Sequence, residues 1–337
     1  MTKVKEIDSL MEYLREHHNI NINGESQKLK LRNIGYYHGF KGYRYINNPN
    51  NKIQYSKFDE ILSINNFDMQ LKSLLYPNIM FIETALKNYM LEILLQKSNS
   101  ENFNIIYTDL LNNHKDFSTV GKQYRTPKDR QRAESKYKEA LKKRLELRDR
   151  IYNVQTRAYA NKNKIAVHFY QKDLNLPIWS IFELLSLGEF GHFVSCLNFD
   201  TRAAISKSLG IKQSDDTNAL LTQRLIYSIK DLRNSIAHND VIFDARFKSG
   251  SIDQQVISAI TNATHISNIT FNTIADYIIL VIYMLKMFGT SKTDMCHIIN
   301  TFDRERENLR NEIPINIYNQ IIHTDILAKL SALKNFI

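Results

Sequence analysis

The chain is poor in the residues that interrupt helices, with 10 glycines and 5 prolines in 337 positions against 43% hydrophobic residues. That balance favours long helices and few tight turns. Only two cysteines occur, Cys196 and Cys296, far apart on apolar stretches. They give neither a zinc-ligand spacing nor a disulfide framework, which fits a reducing compartment and a cytoplasmic location. Long apolar runs are missing too. The longest, Tyr277 to Met287 (YIILVIYMLKM), is interrupted by Lys286 and too short to span a bilayer, so a buried core helix is expected. The N-terminus, MTKVKEIDSLMEYLREHH, is charged from its start and carries no secretory apolar segment. No GxxxxGK[ST] loop, GxGxxG turn, GxSxG elbow, HExxH pair or Cys/His ligand spacing is present. NTPases, serine hydrolases and metalloenzymes are disfavoured on those grounds, and no cofactor is expected.

Charge is abundant but unevenly placed. The net charge is +10, yet residues 122 to 164 hold 15 Lys/Arg against 5 Asp/Glu, and residues 28 to 57 hold 7 against none. The remainder carries 23 basic and 30 acidic residues. Two basic segments on an acidic body suggest a surface that meets a polyanion.

Periodicity gives the organisation. Residues 3 to 18 read as an amphipathic helix with Ile7, Leu10, Met11 and Leu14 on one face. Residues 19 to 57, richer in glycine and tyrosine, read as a short helix followed by a loop or hairpin, the one place where strand pairing is plausible. Helical spacing returns from Tyr55 to Gln96, with Pro77 expected to kink or restart the helix. Residues 98 to 118 are a polar connection with a short helix inside. A charged helix opened by Pro127 follows over 127 to 150, an apolar helix over 174 to 197, and another over about 217 to 238. Helices at about 251 to 265 and 270 to 288 precede a C-terminal pair. The expected fold is all-α: a basic, aromatic-rich region over 1–57, then a helical domain over 58–337 with a charged helical insertion at about 120–165.

One short stretch carries chemistry. In Leu232-Arg233-Asn234-Ser235-Ile236-Ala237-His238, an arginine and a histidine stand five residues apart at the end of a helical run. Histidine can move protons near neutral pH, and arginine can hold a phosphate whose charge grows in the transition state. Leu221, Leu225, Ile229 and Leu232 form one buried stripe, which Ile236 continues. On an intact helix Arg233 and His238 are separated by roughly 140° and about 7.5 Å along the axis. They converge only if the helix ends near His238, as Asn239-Asp240 suggests, or if two copies face each other. The same letters also fit a structural role, with Arg233 in an ion pair and His238 ending a helix.

The basic segments supply candidate RNA contacts. Residues 28 to 57 interleave seven cations with five tyrosines and Phe40. Lys28, Lys30, Arg32, Lys41 and Arg44 are candidate phosphate ligands, and Tyr36 and Tyr43 candidate stacking residues, as looped or single-stranded RNA requires. Part of these aromatics is expected to form a small core instead, Tyr37 and Tyr45 among them. In the second segment the candidates are Lys128, Arg132, Lys136, Lys142, Lys143, Arg144 and Arg148, although long charged helices are usually solvated faces. If the segments bind RNA, affinity falls steeply with salt through counterion release.

Four stretches, in order, resemble the abortive-infection AbiD/AbiF group of the HEPN superfamily. They are LKLRNIGYYHGFKGYRYI (Leu29 to Ile46), FDMQLKSLLYPNIMFIETALKNYM (Phe67 to Met90), LPIWSIFELLSLGEFGHFVSCL (Leu176 to Leu197) and LRNSIAHND, which stands where HEPN proteins keep their arginine-x4-6-histidine motif. The resemblance covers nearly the whole chain. It implies a HEPN-type helical bundle that dimerises to build a composite, metal-independent endoribonuclease site, in a bacterial phage-defence protein of toxin-antitoxin-like character. AbiF-like proteins look like relatives of the HEPN halves of type VI CRISPR effectors, and some are encoded beside a structured small noncoding RNA. Carried over by position, Arg233 and His238 are the catalytic pair, Asn234 is the polar neighbour of the arginine, and Glu183 matches the glutamate of the family's central helix, where it can pair with Arg233. Many relatives have a second histidine directly after the first and then an Arg-Leu-Trp-Asn run; here Asn239 and Asp240-Val241-Ile242-Phe243-Asp244 stand instead. Chemistry that needs two histidines per chain is thereby put in doubt. The alternatives are a non-cleaving protein that forms a ribonucleoprotein with a small RNA, and an interaction protein that senses a phage component.

Overall fold

Apolar residues at helical spacing, with few glycines and prolines to interrupt them, produce an all-α fold in the computed structural model, which describes residues 6–337. Fifteen α-helices follow one another: α1 (Ile7–His18), α2 (Gly24–Tyr36), α3 (Phe58–Ser98), α4 (Phe103–Asp109), α5 (Pro127–Ala160), α6 (Lys164–Tyr170), α7 (Ile178–Leu184), α8 (Leu187–Cys196), α9 (Phe199–Ser208), α10 (Leu221–Ala237), α11 (Gln254–Thr264), α12 (Ile274–Met287), α13 (Lys292–Glu312), α14 (Ile315–Ile321) and α15 (Ile326–Phe336). Residues 3 to 5 of the expected first helix lie outside the described residues. The hairpin thought plausible in the N-terminal region does not form. Only isolated bridges join Asn21 to Lys57 and Tyr45 to Lys52, and no strand occurs among the described residues.

Three expected boundaries move, each for a visible reason. The apolar run over 174 to 197 is two helices, because Leu185 is extended and Ser186 starts α8 through a capping box with Glu189. α3 runs through Pro77 without a break. α5 continues ten residues past Arg150, because Ile151, Val154 and Ala158 prolong the buried face begun by Ala140 and Leu147. Its start is as expected, with Thr126 accepting a hydrogen bond from the Asp129 amide and Pro127 in the first turn.

The chain divides into two compact units. The first comprises Met1–Met80, Asp231–Ile252 and Ile257–Ile337; the second comprises Phe81–Lys230 and Asp253–Val256. In the first, α12 is buried continuously from Ile274 to Leu285, as its apolar sequence requires, and α13 packs against α12, α14 and α15. The buried pair Lys329 Nζ–Asp276 Oδ1 (2.9 Å) ties α15 to α12. In the second, the apolar side of α5 packs against α6, α7 and α8. No helix among the described residues is long and apolar enough to cross a membrane.

Acid sensitivity follows from two histidines of the second unit. Burial, with Arg144 beside His114 and Arg150 near His192, holds both imidazoles below their ordinary value of 6.5. An unfolded chain takes up these protons at about 6.5, so stability is lost as pH falls from there toward the lower folded values. The urea midpoint is expected to drop between pH 7.5 and 5.5, and His192→Gln to flatten that dependence. An unchanged pH slope in the variant would remove His192 from the account.

Candidate functional site

α10 presents the Arg-Asn-…-His stretch in a fixed phase. Leu221, Leu225, Ile229, Leu232 and Ile236 are all buried, and this stripe leaves Asn234 and His238 exposed and Arg233 half-buried. The helix then stops at a defined place. Asn239 adopts a left-handed conformation (φ 57°), its N–H donates to Ile236 O (3.2 Å), and the Asp240 N–H donates to Ser235 O (2.8 Å). This is a Schellman motif, which asparagine can close because it tolerates the left-handed region better than most residues. His238 is therefore the C-cap, still bonded through its N–H to Asn234 O at 2.9 Å.

A buried polar clamp holds the chain that follows. Asp68, on α3 and wholly buried, accepts hydrogen bonds from the Ile242 and Phe243 amides at 2.7 and 2.8 Å. It also pairs with Lys72 Nζ at 2.7 Å and accepts from the Tyr43 hydroxyl at 3.2 Å. Lys72 in turn donates to Asn239 Oδ1 at 2.9 Å, which reaches the residue next to His238. Burial pushes the Asp68 carboxyl above the usual carboxylate range, while Lys72 and the two amides pull it back. A second grip lies three residues on. Arg246 Nη2 meets Asp244 Oδ2 at 2.6 Å and donates to Tyr45 O, and its Nη1 donates to Gly42 O at 2.8 Å. Gly42 fits because its neighbours come close here. A Cβ at that position would stand 3.1 Å from Val241 Cγ2 and 3.3 Å from Tyr37 O.

Beside the second grip opens a cleft of about 450 Å³, lined by Tyr37, Lys41, Arg44 and Tyr45, by Ser235 and Asp240 of the α10 terminus, and by Arg246. Lys41 is exposed and Arg44 half-buried, and neither makes an ion pair among the described residues. The aromatic-basic segment thus shares a cleft with Ser235 and Asp240 at the α10 end, whereas Arg233, Asn234 and His238 are not among its lining residues, and the chain separation of about two hundred residues hides this juxtaposition.

The other candidates divide. Tyr43 is a correction: it is 1% exposed, stacks on Phe243 at 5.8 Å between centroids and bonds Asp68, so its ring is unavailable to a base. The expected roles of the tyrosines are partly exchanged, since Tyr37, expected in a small core, is 63% exposed. Tyr45 and Tyr36 are half-buried. Lys28 pairs with Asp8 at 2.7 Å, whereas Lys30 and Arg32 are exposed. On α5, Lys142 and Lys143 pair with Glu146 (3.8 Å) and Glu139 (2.8 Å). Arg144 is a structural residue: it donates to the carbonyls of Leu111 and Tyr107 and lies 3.8 Å from the Tyr107 ring centroid. Arg148 is exposed. Lys128, Arg132 and Lys136 are exposed without ion pairs among the described residues, and with Lys143, Arg150 and Arg157 they fall within about 80° of helix arc. Glu183 is exposed on α7 in the second unit, and Arg233 belongs to the first. No group of three or more His, Cys, Asp or Glu side chains is placed to hold a metal ion among the described residues. Cys196 is buried, and burial pushes its thiol up to about 11.

Sequence reasoning missed Asp68, Lys72, Asp244 and Arg246. For the first two, an Asp-x-x-x-Lys pair among the buried apolar positions of α3 was the available signal, because such charges enter a core only when partnered.

The model of the Abi-like protein family matches residues 29–244. The chain belongs to the Abi-like protein family. No curated protein and no solved structure matches it. In this Abi-like chain the matched stretch begins within α2 and ends at Asp244, so it contains the aromatic-basic segment from Leu29 onward, Asp68, Lys72 and the whole of α10. Membership suggests abortive-infection phage defence.

Proposed function

We propose that this Abi-like protein is a cytoplasmic, metal-independent endoribonuclease of HEPN, AbiD/AbiF type that acts in phage defence together with a structured small noncoding RNA. The observation that carries the reading is an exposed histidine capping α10, whose flanking residues Ser235 and Asp240 line a cleft together with the cations Lys41 and Arg44. In the proposed reaction a base removes the ribose 2′-hydroxyl proton, the 2′-oxygen attacks phosphorus, and the P–O5′ bond breaks as an acid protonates the leaving oxygen. A 2′,3′-cyclic phosphate and a 5′-hydroxyl result. His238 supplies one proton-transfer group per chain, so two copies provide the base and the acid in a homodimer. Arg233 holds the phosphate as its charge grows, and Asn234 orients it.

A second reading, a non-cleaving RNA-binding protein, has one observation in its favour. Asn239, standing where many relatives have a second histidine, has its side chain engaged by Lys72 and serves the helix cap. Expression in bacteria separates the two. Wild type is expected to arrest growth and His238→Ala to spare it while retaining the same bound RNA; equal arrest by both proteins would sink the catalytic reading. Light scattering is expected to give a dimer, and a strict monomer with and without RNA would remove the composite site.

A further inference from the structure

We infer that the cleft beside the α10 terminus is a subsite for one unpaired nucleotide of RNA, with its base stacked on Tyr37 and its phosphate on Lys41 and Arg44. The inference rests on the ribonuclease reading and deepens it, because it names a place for the RNA beside the end of the helix that carries His238.

Three features point to a nucleotide and not to a bare anion or an apolar ligand. The cleft, at about 450 Å³, has the volume of a small-molecule site. It carries an aromatic ring left open to solvent: Tyr37 is 63% exposed, with the edge-on His38 ring beside it at 5.1 Å. Tyr45 is the lesser platform, since the Arg246 guanidinium covers one of its faces at 4.0 Å from the centroid. Its cations are arranged unequally. Arg246 is neutralised by Asp244 and braces the wall through Gly42 and Tyr45, which leaves Lys41 and Arg44 to meet an anion. Asp240, the remaining carboxylate, stands at the α10 end and repels a phosphate there, steering it toward Lys41 and Arg44.

A base inside a duplex is stacked on both faces and cannot lie on Tyr37, whereas an unpaired base can be turned outward onto it. The subsite therefore selects unpaired positions. It also explains why an exposed tyrosine and two cations without an ion pair among the described residues, Lys41 resting only on the Tyr36 ring at 5.4 Å, adjoin a helix end fixed so firmly by Asp68 and Lys72.

The test uses fluorescence anisotropy with the full chain in a His238→Ala background, so that binding is read without cutting. The probes are a labelled 12-nucleotide single-stranded RNA containing 2-aminopurine and the same strand annealed to its complement. Tyr37→Ala is expected to weaken single-strand binding about tenfold and to abolish the 2-aminopurine quenching, as loss of one stacked base implies. Tyr37→Phe should keep both, and Arg44→Gln should weaken binding without removing the quenching. Duplex affinity should change less than twofold in every variant. Tyr37 is exposed enough for its truncation to leave the fold intact, which circular dichroism checks. Unchanged single-strand affinity in both Tyr37→Ala and Arg44→Gln, equal losses for single strand and duplex, or no single-strand binding at all would overturn the inference. Intact cleft binding with no cleavage by the native chain would instead count against the ribonuclease reading alone.

Discussion

Lys72→Met is expected to destabilise the first unit by about 3–5 kcal/mol, the usual cost of removing one member of a buried ion pair. The physical reason is what remains. Asp68 is 0% exposed, and without the ammonium at 2.7 Å its charge rests on two amides and the Tyr43 hydroxyl. Its carboxyl, already raised by burial, then rises further. The folded state of the variant binds a proton at higher pH than the unfolded chain does, so stability should recover as pH falls through that raised value toward the ordinary 3.8. Urea unfolding at pH 7.5 and 5 measures both effects. Amide exchange at Ile242 and Phe243 should quicken in parallel, because Asp68 is their acceptor. A loss below about 1 kcal/mol, the scale of an exposed pair, would contradict the clamp.

The second large effect concerns chemistry. His238→Ala should slow RNA cleavage by about 10²–10⁴-fold, the range for removing a positioned general acid or base. Arg233→Lys should slow it by about 10²–10³-fold, because an ammonium keeps the charge but not the forked donor geometry. Neither change should disturb the fold much: His238 is exposed, and Arg233→Lys retains charge and stem. Thermal midpoints close to wild type are the control. A His238→Ala enzyme with full activity and a native midpoint would mean that the histidine only caps α10.

The sequence carried the helical class plainly, because eleven-residue and longer apolar patterns such as α12 and the α10 stripe dictate their own burial. The end of α10 was readable from Asn239-Asp240, since few residues other than glycine close a left-handed cap. The boundary between α7 and α8 was also written, as Ser186-x-x-Glu189, but the continuous apolar run around it masked the cap. What could not be read was contact across long separations. Tyr43 and Tyr37 look alike in a tyrosine-rich loop, and only the position of Asp68 decides that the first is core and the second surface. Likewise, nothing local in Lys41 or Arg44 says that they line the same cleft as Ser235 and Asp240.

The proposed cleavage of RNA through Arg233 and His238 proceeds by in-line attack of the 2′-hydroxyl and leaves a chemical signature. The most direct measurement is the chemistry of the ends left on a labelled single-stranded RNA after incubation with the purified protein in excess EDTA. Fragments with 2′,3′-cyclic phosphate and 5′-hydroxyl ends are expected, formed by wild type and absent with His238→Ala. Cleavage that stops in EDTA, fragments with 5′-phosphate ends, or equal cleavage by His238→Ala would contradict it.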